Sequence, residues 1–150
     1  MTRFRWWAIS VFALGMAFAE AATVVFLKRL YFPDGWAFPF HPIPPEALRL
    51  EQGRELATLV AIAAVAFAGR PGAREGIARG LWIGGLWDLA YYGCLRALTP
   101  FPATLADLDV VFLLPNAWIL PVWAPVAGSL AAMAAAFALG RPAATRRVLG

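Results

Sequence analysis

Long, unbroken apolar runs dominate the chain, and each is close to the length of a membrane-spanning helix. They cover about residues 6–27, 48–68, 80–98 and 121–139. A helix needs about 20 apolar residues to cross the hydrocarbon core of a bilayer. Runs that are continuous rather than alternating favour helices over a barrel. The pattern therefore predicts an all-α fold, a four-helix transmembrane bundle.

The last apolar stretch, Val110 to Leu139, is too long for one simple span, at about 1.5 Å per helical residue. Pro115, Pro121 and Pro125 offer natural breaks. We predict a short entering or interfacial segment over about residues 110–120, followed by the true span. The last helix is thus expected to be broken by proline.

The connection between the first two spans, Tyr31 to Pro45, is rich in proline and aromatic residues. Residues that precede proline avoid the helical region, so an extended loop is predicted. Its aromatic rings are expected at the level of the lipid headgroups, where the loop could cover a site. Pro44 and Pro45 are expected to cap the second helix.

The composition also indicates a membrane protein. Of the 150 residues, 61% are hydrophobic and 15% are charged, and the mean hydropathy is +0.67. Soluble domains are about 45–50% apolar and about 25% charged. A bundle of this length has room for one core, so a single integral membrane domain over residues 1–150 is predicted.

Basic residues are concentrated on one predicted side of the membrane. The two tails and the second loop carry eight arginines against the single acid Glu75. These are Arg3, Arg5, Arg70, Arg74, Arg79, Arg141, Arg146 and Arg147. The positive-inside rule then places both termini in the cytoplasm, with the protein in the inner membrane of the cell. The net charge of +4 is read as orientation in the lipid bilayer, and no nucleic-acid partner is expected.

The N-terminal segment has an alternative reading as a secretory signal. Arg3 and Arg5 resemble a charged leader, and Ala19-Glu20-Ala21 resembles a cleavage site. The apolar run continues to Leu27 without a polar region before cleavage. This favours a retained helix.

Acidic residues interrupt the apolar runs or lie at their ends, and most fall in the outer half of the predicted bundle. A charged group inside hydrocarbon costs at least about 2.5–3.5 kcal/mol, so it persists mainly where it pairs, faces a cavity or acts. These acids and their polar neighbours form the candidate pocket. It comprises Glu20, Glu51, Arg54, Glu55, Asp88, Tyr91, Tyr92, Asp107, Asp109 and Asn116.

Helical spacing predicts particular pairs within this set. Arg54 lies three residues after Glu51 and one before Glu55, so it can pair with either acid. Tyr91 and Tyr92 follow Asp88 at the spacing of one turn, which predicts a phenol hydroxyl near that carboxylate. On the same helix, Gly80, Gly84 and Gly85 predict a close helix–helix contact.

The sequence leaves the activity open. It contains no nucleophile elbow, phosphate loop, HExxH or CxxC motif. Cys94 is the single cysteine and His41 the single histidine, which excludes an internal disulfide, a cysteine-based zinc site and a pair of haem-ligating histidines. A carboxylate-bridged metal pair ranks low for the same reason. No cofactor is identified.

Two functions remain as hypotheses. In the first, the outward-facing carboxylate pocket binds a cation, a proton or a small lipid-soluble substrate, and acid–base chemistry is conceivable. In the second, the protein is a non-catalytic accessory subunit of a larger membrane complex, and its acids are structural ion pairs.

Several short stretches resemble a group of small four-span bacterial integral membrane proteins of no known activity. The most distinctive is Trp87-Asp88-Leu89-Ala90-Tyr91-Tyr92. Further stretches are Glu20 to Ala22, Leu30 to Pro33, Gly53 to Thr58, Asp109 to Pro115 and Pro121-Val122. The resemblance implies a four-helix membrane protein and carries over no activity.

Overall fold

The protein is mostly helical. The computed structural model describes residues 3–33 and 43–140, without the side chains of residues 3–5. Within these ranges the chain forms four helices and one strand pair. In order they are α1 (Arg3–Tyr31), α2 (Pro45–Ala66), α3 (Ala73–Leu98), β1 (Leu108–Phe112), β2 (Trp118–Pro121) and α4 (Trp123–Gly140). The all-α prediction is confirmed at this level.

Helix α3 lies at the centre of the bundle, because it packs against each of the other three helices. Helix α1 packs extensively on α3 and only slightly on α2. The contact face of α1 is a stripe of alanines one turn apart, and Ala13, Ala17 and Ala21 are fully buried. Small side chains let helix backbones approach closely, which explains how a long apolar helix fits tightly against α3.

Two apolar clusters hold the helices together. One joins α1, α2 and α3 around Ile9, Ile62 and Ile83. The other joins α1, α3 and the start of α4 around Tyr92 and Val122. The second cluster lies at the end of the bundle that also carries the strands, which we call the hairpin end. The polar pocket described below lies between the two clusters.

The segment predicted to enter the membrane ahead of the last helix is instead an antiparallel β-hairpin. Leu108 pairs with Pro121 and Asp109 with Leu120, and a bulge lies between Val110 and Phe112. Branched and aromatic residues fit strands well, and this preference prevails over the apolar length of the segment. The prediction of a proline-broken helix is therefore wrong. Helix α4 is continuous, and Pro125 lies in its first turn, where no backbone N–H is required.

Several predicted boundaries shift in the structure. Pro44 and Pro45 begin α2 as expected, at the N-cap and first helical position. Helix α3 begins at Ala73, so Arg74 and Arg79 are helical rather than in a loop. Arg79 is buried and donates to Glu75 at 2.6 Å and to the carbonyl of Ala68 at 3.0 Å. The middle of the predicted outer loop, residues 34–42 with Trp36 and His41, lies outside the described residues.

Among the described helices, two are long and apolar enough to cross a membrane, Trp6–Tyr31 and Trp123–Gly140. Only 22% and 11% of their apolar windows are buried inside the protein. A core helix of a soluble protein would be mostly covered, so these helices present apolar surface outwards. Helices α2 and α3 carry more charged side chains.

Candidate functional site

Arg54 on α2 binds two carboxylates, one on α1 and one on its own helix. Its guanidinium forms a two-point contact with Glu20, in which Nη2 donates to Oε1 at 2.6 Å and Nη1 donates to Oε2. The Nε of Arg54 also donates to Oε1 of Glu51 at 2.9 Å. The sequence predicted a pair with Glu51 or Glu55; the structure shows Glu51 and the distant Glu20. This forked geometry is what a guanidinium provides and a lysine does not.

Glu55 connects α2 to the hairpin. Its two carboxylate oxygens accept the backbone N–H of Leu113, at 3.2 and 3.0 Å. The carbonyl of Leu113 accepts a hydrogen bond from the Gln52 side chain at 3.1 Å. Both backbone polar groups of Leu113 are therefore held by α2. These bonds hold the end of β1 against α2.

Tyr92 and Asp109 form a second polar contact, between α3 and β1. The phenol hydroxyl donates to Oδ2 of Asp109 at 3.1 Å, and only 3% of Asp109 is exposed. Asp88 lies in one pocket wall with Tyr91 and Tyr92, as predicted, but the hydrogen bond of Tyr92 goes to Asp109. Asp88 instead accepts a hydrogen bond of 2.7 Å from the hydroxyl of Ser129 on α4.

Most of these charged side chains line a small polar pocket of about 50 Å³. Its walls come from all the helices except α4 and from β1, and they include Glu20, Glu51, Arg54, Glu55, Asp88 and Tyr92. The buried indole N–H of Trp87, also in this wall, donates to no group among the described residues. The pocket has room for a water molecule. The structure thus brings together carboxylates that are far apart in the sequence.

A larger cavity of about 270 Å³ adjoins the polar pocket. It lies between α1, α2 and the hairpin, and most of its wall is apolar, as at Leu27, Ile43 and Leu48. The two spaces share one stretch of wall, formed by Val24, Glu51, Glu55, Tyr91 and Val110. Asp109 also lines the larger cavity. An apolar space that ends at buried carboxylates is suited to an amphiphilic guest.

Two predicted pocket residues lie elsewhere. Asp107 organises the turn before β1, where it accepts bonds from the hydroxyl of Thr104 at 2.7 Å and from the N–H of Ala103 at 2.7 Å. The bonds from Thr104 and Ala103 lower the pKa of Asp107. Asn116 is exposed at the tip of the hairpin. The sequence placed Asp107 just before the last apolar stretch and Asn116 at a proline break within it. In the structure β1 begins after Asp107 and ends before Asn116, and neither residue lines the pocket.

Ser129 and Lys28 were missed by sequence reasoning. Ser129 is the one hydroxyl in the apolar run of α4, and that isolation was a usable signal. Lys28 lies near Asp109, where its charge opposes the effect of burial, and its ammonium also lies 4.0 Å from the ring centre of Phe101. Its place at the end of a span made it resemble a boundary residue.

Asp109 lies on β1, outside the two helices that are long and apolar enough to cross a membrane, and its ionisation is perturbed. Burial raises its pKa to about 6, against the opposing charge of Lys28 and the hydrogen bond from Tyr92. The ionised form is therefore disfavoured in the folded protein. The stability that this group contributes is fully present below its ordinary pKa of 3.8 and is lost as the pH rises through about 6.

This shift predicts the pH dependence of the variant Asp109→Asn. The amide keeps an acceptor for Tyr92 and cannot ionise, so the variant should be the more stable protein above pH 6, by up to about 3 kcal/mol. The two unfolding midpoints should converge below about pH 4. Thermal unfolding in detergent across this range measures the difference. Asp107→Asn is the matched control and should lose stability at neutral pH; parallel curves for wild type and Asp109→Asn would contradict the assignment.

The described carboxylates do not form a metal centre by their arrangement, since no group of three or more ligand side chains among them is close enough to hold an ion. His41 lies outside the described residues. A scan against protein-family models and searches of curated proteins and solved structures returned no match to this chain.

Proposed function

We propose that this protein is an integral membrane protein that binds a small lipid-soluble ligand between α1, α2 and the hairpin. The observation that carries the proposal is the shared wall of the two spaces. The apolar cavity suits a hydrocarbon body, and the carboxylates at Glu51 and Glu55 suit a polar head. Burial of most of a ligand in an apolar cleft with a few polar groups is typical of small-molecule sites.

An integral membrane location is part of the same proposal. Four helices cross the inner membrane with both termini in the cytoplasm, as the distribution of arginine predicts. The hairpin end then faces outwards. The exposed side chains of β2, Trp118 and Ile119 among them, would lie at the interface between hydrocarbon and headgroups, where tryptophan is enriched. The arginines of the C-terminal tail, which are part of this reasoning, lie outside the described residues.

The slight packing between α1 and α2 supports lateral entry of the ligand. These helices meet at the ion pair between Arg54 and Glu20 and at the apolar cluster around Ile9 and Ile62. The cavity lies beside the ion pair, towards the hairpin end. A guest dissolved in the bilayer could pass between the two helices without crossing water.

The proposal is tested by filling the cavity. Leu48→Trp places an indole in the apolar wall, whereas Leu50→Trp changes a neighbour on α2 that is 77% exposed. We expect saturable binding of octanol to the protein in lipid nanodiscs, measured by equilibrium dialysis against empty discs. Binding should weaken about tenfold in Leu48→Trp and be unchanged in Leu50→Trp.

Two outcomes would count against this function. Octanol uptake equal to that of empty discs would contradict the cavity as a binding site. Equal binding by the two tryptophan variants would place the probe elsewhere. If the variants Glu20→Gln and Asp88→Asn lose stability without any change in binding, the acids have a structural role, as expected of an accessory subunit.

A further inference from the structure

The cavity between α1, α2 and the hairpin has a distinct electrostatic character. Three carboxylates line it, those of Glu51, Glu55 and Asp109. Each of these residues is less than 9% exposed. The guanidinium of Arg54 belongs to the wall of the small polar pocket rather than to that of the cavity. A guest in the cavity therefore contacts these carboxylates and not the guanidinium.

The hydrogen bonds made by the cavity acids leave them able to accept more. Glu55 accepts one backbone N–H, from Leu113. Asp109 accepts the hydroxyl of Tyr92 and the backbone N–H of Val110. An ionised carboxylate has about four acceptor positions. Neutral donors satisfy part of that capacity and none of the charge. A guest that brings both donors and positive charge would complement these groups best.

The balance of charge across both spaces also favours a cationic guest. Arg54 is already engaged by Glu20 and Glu51. Lys28 is the cation whose charge acts on Asp109. The five carboxyl groups of the two spaces thus face two cationic side chains, so an anionic guest would be repelled and a cationic one attracted.

We propose that the ligand is an amphiphilic amine, whose ammonium group binds between Glu55 and Asp109 and whose hydrocarbon part occupies the apolar cavity. This inference rests on the proposed function and specifies its ligand class. An ammonium has three donors and no acceptor, which matches the acceptor positions that remain on these two acids. The aromatic rings of Tyr31 and Tyr91 in the same wall would add attraction between cation and ring.

Three octyl probes with different heads test the charge preference. We expect octylammonium to bind the protein in nanodiscs about tenfold more tightly than octanol, and octyl sulfate to bind more weakly than octanol. Empty nanodiscs of the same lipid correct for partition into the bilayer. Equilibrium dialysis at neutral pH gives the three dissociation constants.

Variants of the acids locate the head group. Glu55→Gln and Asp109→Asn keep acceptor oxygens for Leu113 and Tyr92 while removing charge. Each should reduce the preference for octylammonium over octanol by several-fold, taken as the ratio of the two dissociation constants measured on the same variant. Glu46→Gln, at an exposed position in the first turn of α2, should leave the preference intact.

The outcomes separate this inference from the function on which it rests. If octanol binds and octylammonium binds no better, the ligand class is overturned while the lipid-soluble site stands. If the preference survives in both Glu55→Gln and Asp109→Asn, the ammonium binds elsewhere and the inference fails. If none of the probes binds, both proposals fail.

Discussion

Replacing Arg54 by methionine is expected to destabilise the folded protein by about 2–4 kcal/mol, because two buried carboxylates then lose their shared cation. Glu20 and Glu51 have side chains only 12% and 10% exposed, and that of Arg54 is 23% exposed. Removing one partner of a buried ion pair leaves an uncompensated charge. The residual exposure of Arg54 places the effect below that of a fully enclosed pair. The midpoint of thermal unfolding in detergent measures it.

A matched series separates the charge from the shape of the side chain. Arg54→Lys should recover part of the loss, because an ammonium keeps the charge but cannot contact both acids with a rigid fork. Arg49→Met, at an exposed position of the same helix, should change little. A triple variant that also carries Glu20→Gln and Glu51→Gln should regain much of the stability. An unfolding midpoint for Arg54→Met equal to that of Arg49→Met would refute the role of the ion pair.

Gly85→Ala is expected to destabilise the contact between α3 and α4 by about 2–3 kcal/mol. A Cβ atom at Gly85 would lie 2.7 Å from the carbonyl oxygen of Ser129 and 2.7 Å from Cγ of Met133. The backbone oxygen cannot move aside as a flexible side chain can, so the helices must separate. Because the hydroxyl of Ser129 donates to Asp88, the same displacement should weaken that bond.

The neighbouring glycine provides the control. A Cβ atom at Gly84 would meet nothing within 4 Å, and alanine is the better helix former by about 0.8–1 kcal/mol. Gly84→Ala should therefore match or exceed the wild-type midpoint in the same detergent. If Gly84→Ala and Gly85→Ala unfold alike, the close approach of α3 and α4 is not the source of the effect.

The pattern of apolar residues was enough to predict the helices but not the hairpin. A continuous apolar run of this length, as in α1 and α4, commonly forms a helix. Both helices are found where the runs lie. Over residues 110–120 the same apolar character is compatible with a helix or a strand. The decision there depends on tertiary contacts such as that between Leu113 and Glu55, which no local pattern reveals.

The candidate site, too, could be predicted from the sequence only in part. A charge inside an apolar run persists mainly where it has a partner or faces a cavity. Of the predicted acids, the structure places Glu20, Glu51, Glu55 and Asp88 in the polar pocket and Asp109 in the adjoining cavity, whereas Asp107 lies in the turn before β1. The partners were predicted less well. Spacing along one helix identified Glu51 as a partner of Arg54, but the contacts to Glu20, and of Tyr92 with Asp109, join different elements. Of the three glycines predicted at a helix contact, Gly85 makes the closest approach and Gly84 makes none.

The ion pair between the first two helices also constrains how the chain is made. Glu20 leaves the ribosome 34 residues before Arg54, so the first helix is synthesised with an acid whose counterion does not yet exist. In the proposed membrane location, the translocon would release this helix into lipid at lowest cost once α2 has joined it. Insertion of α1 and α2 as a helical pair, rather than one after the other, is the route that this pairing favours.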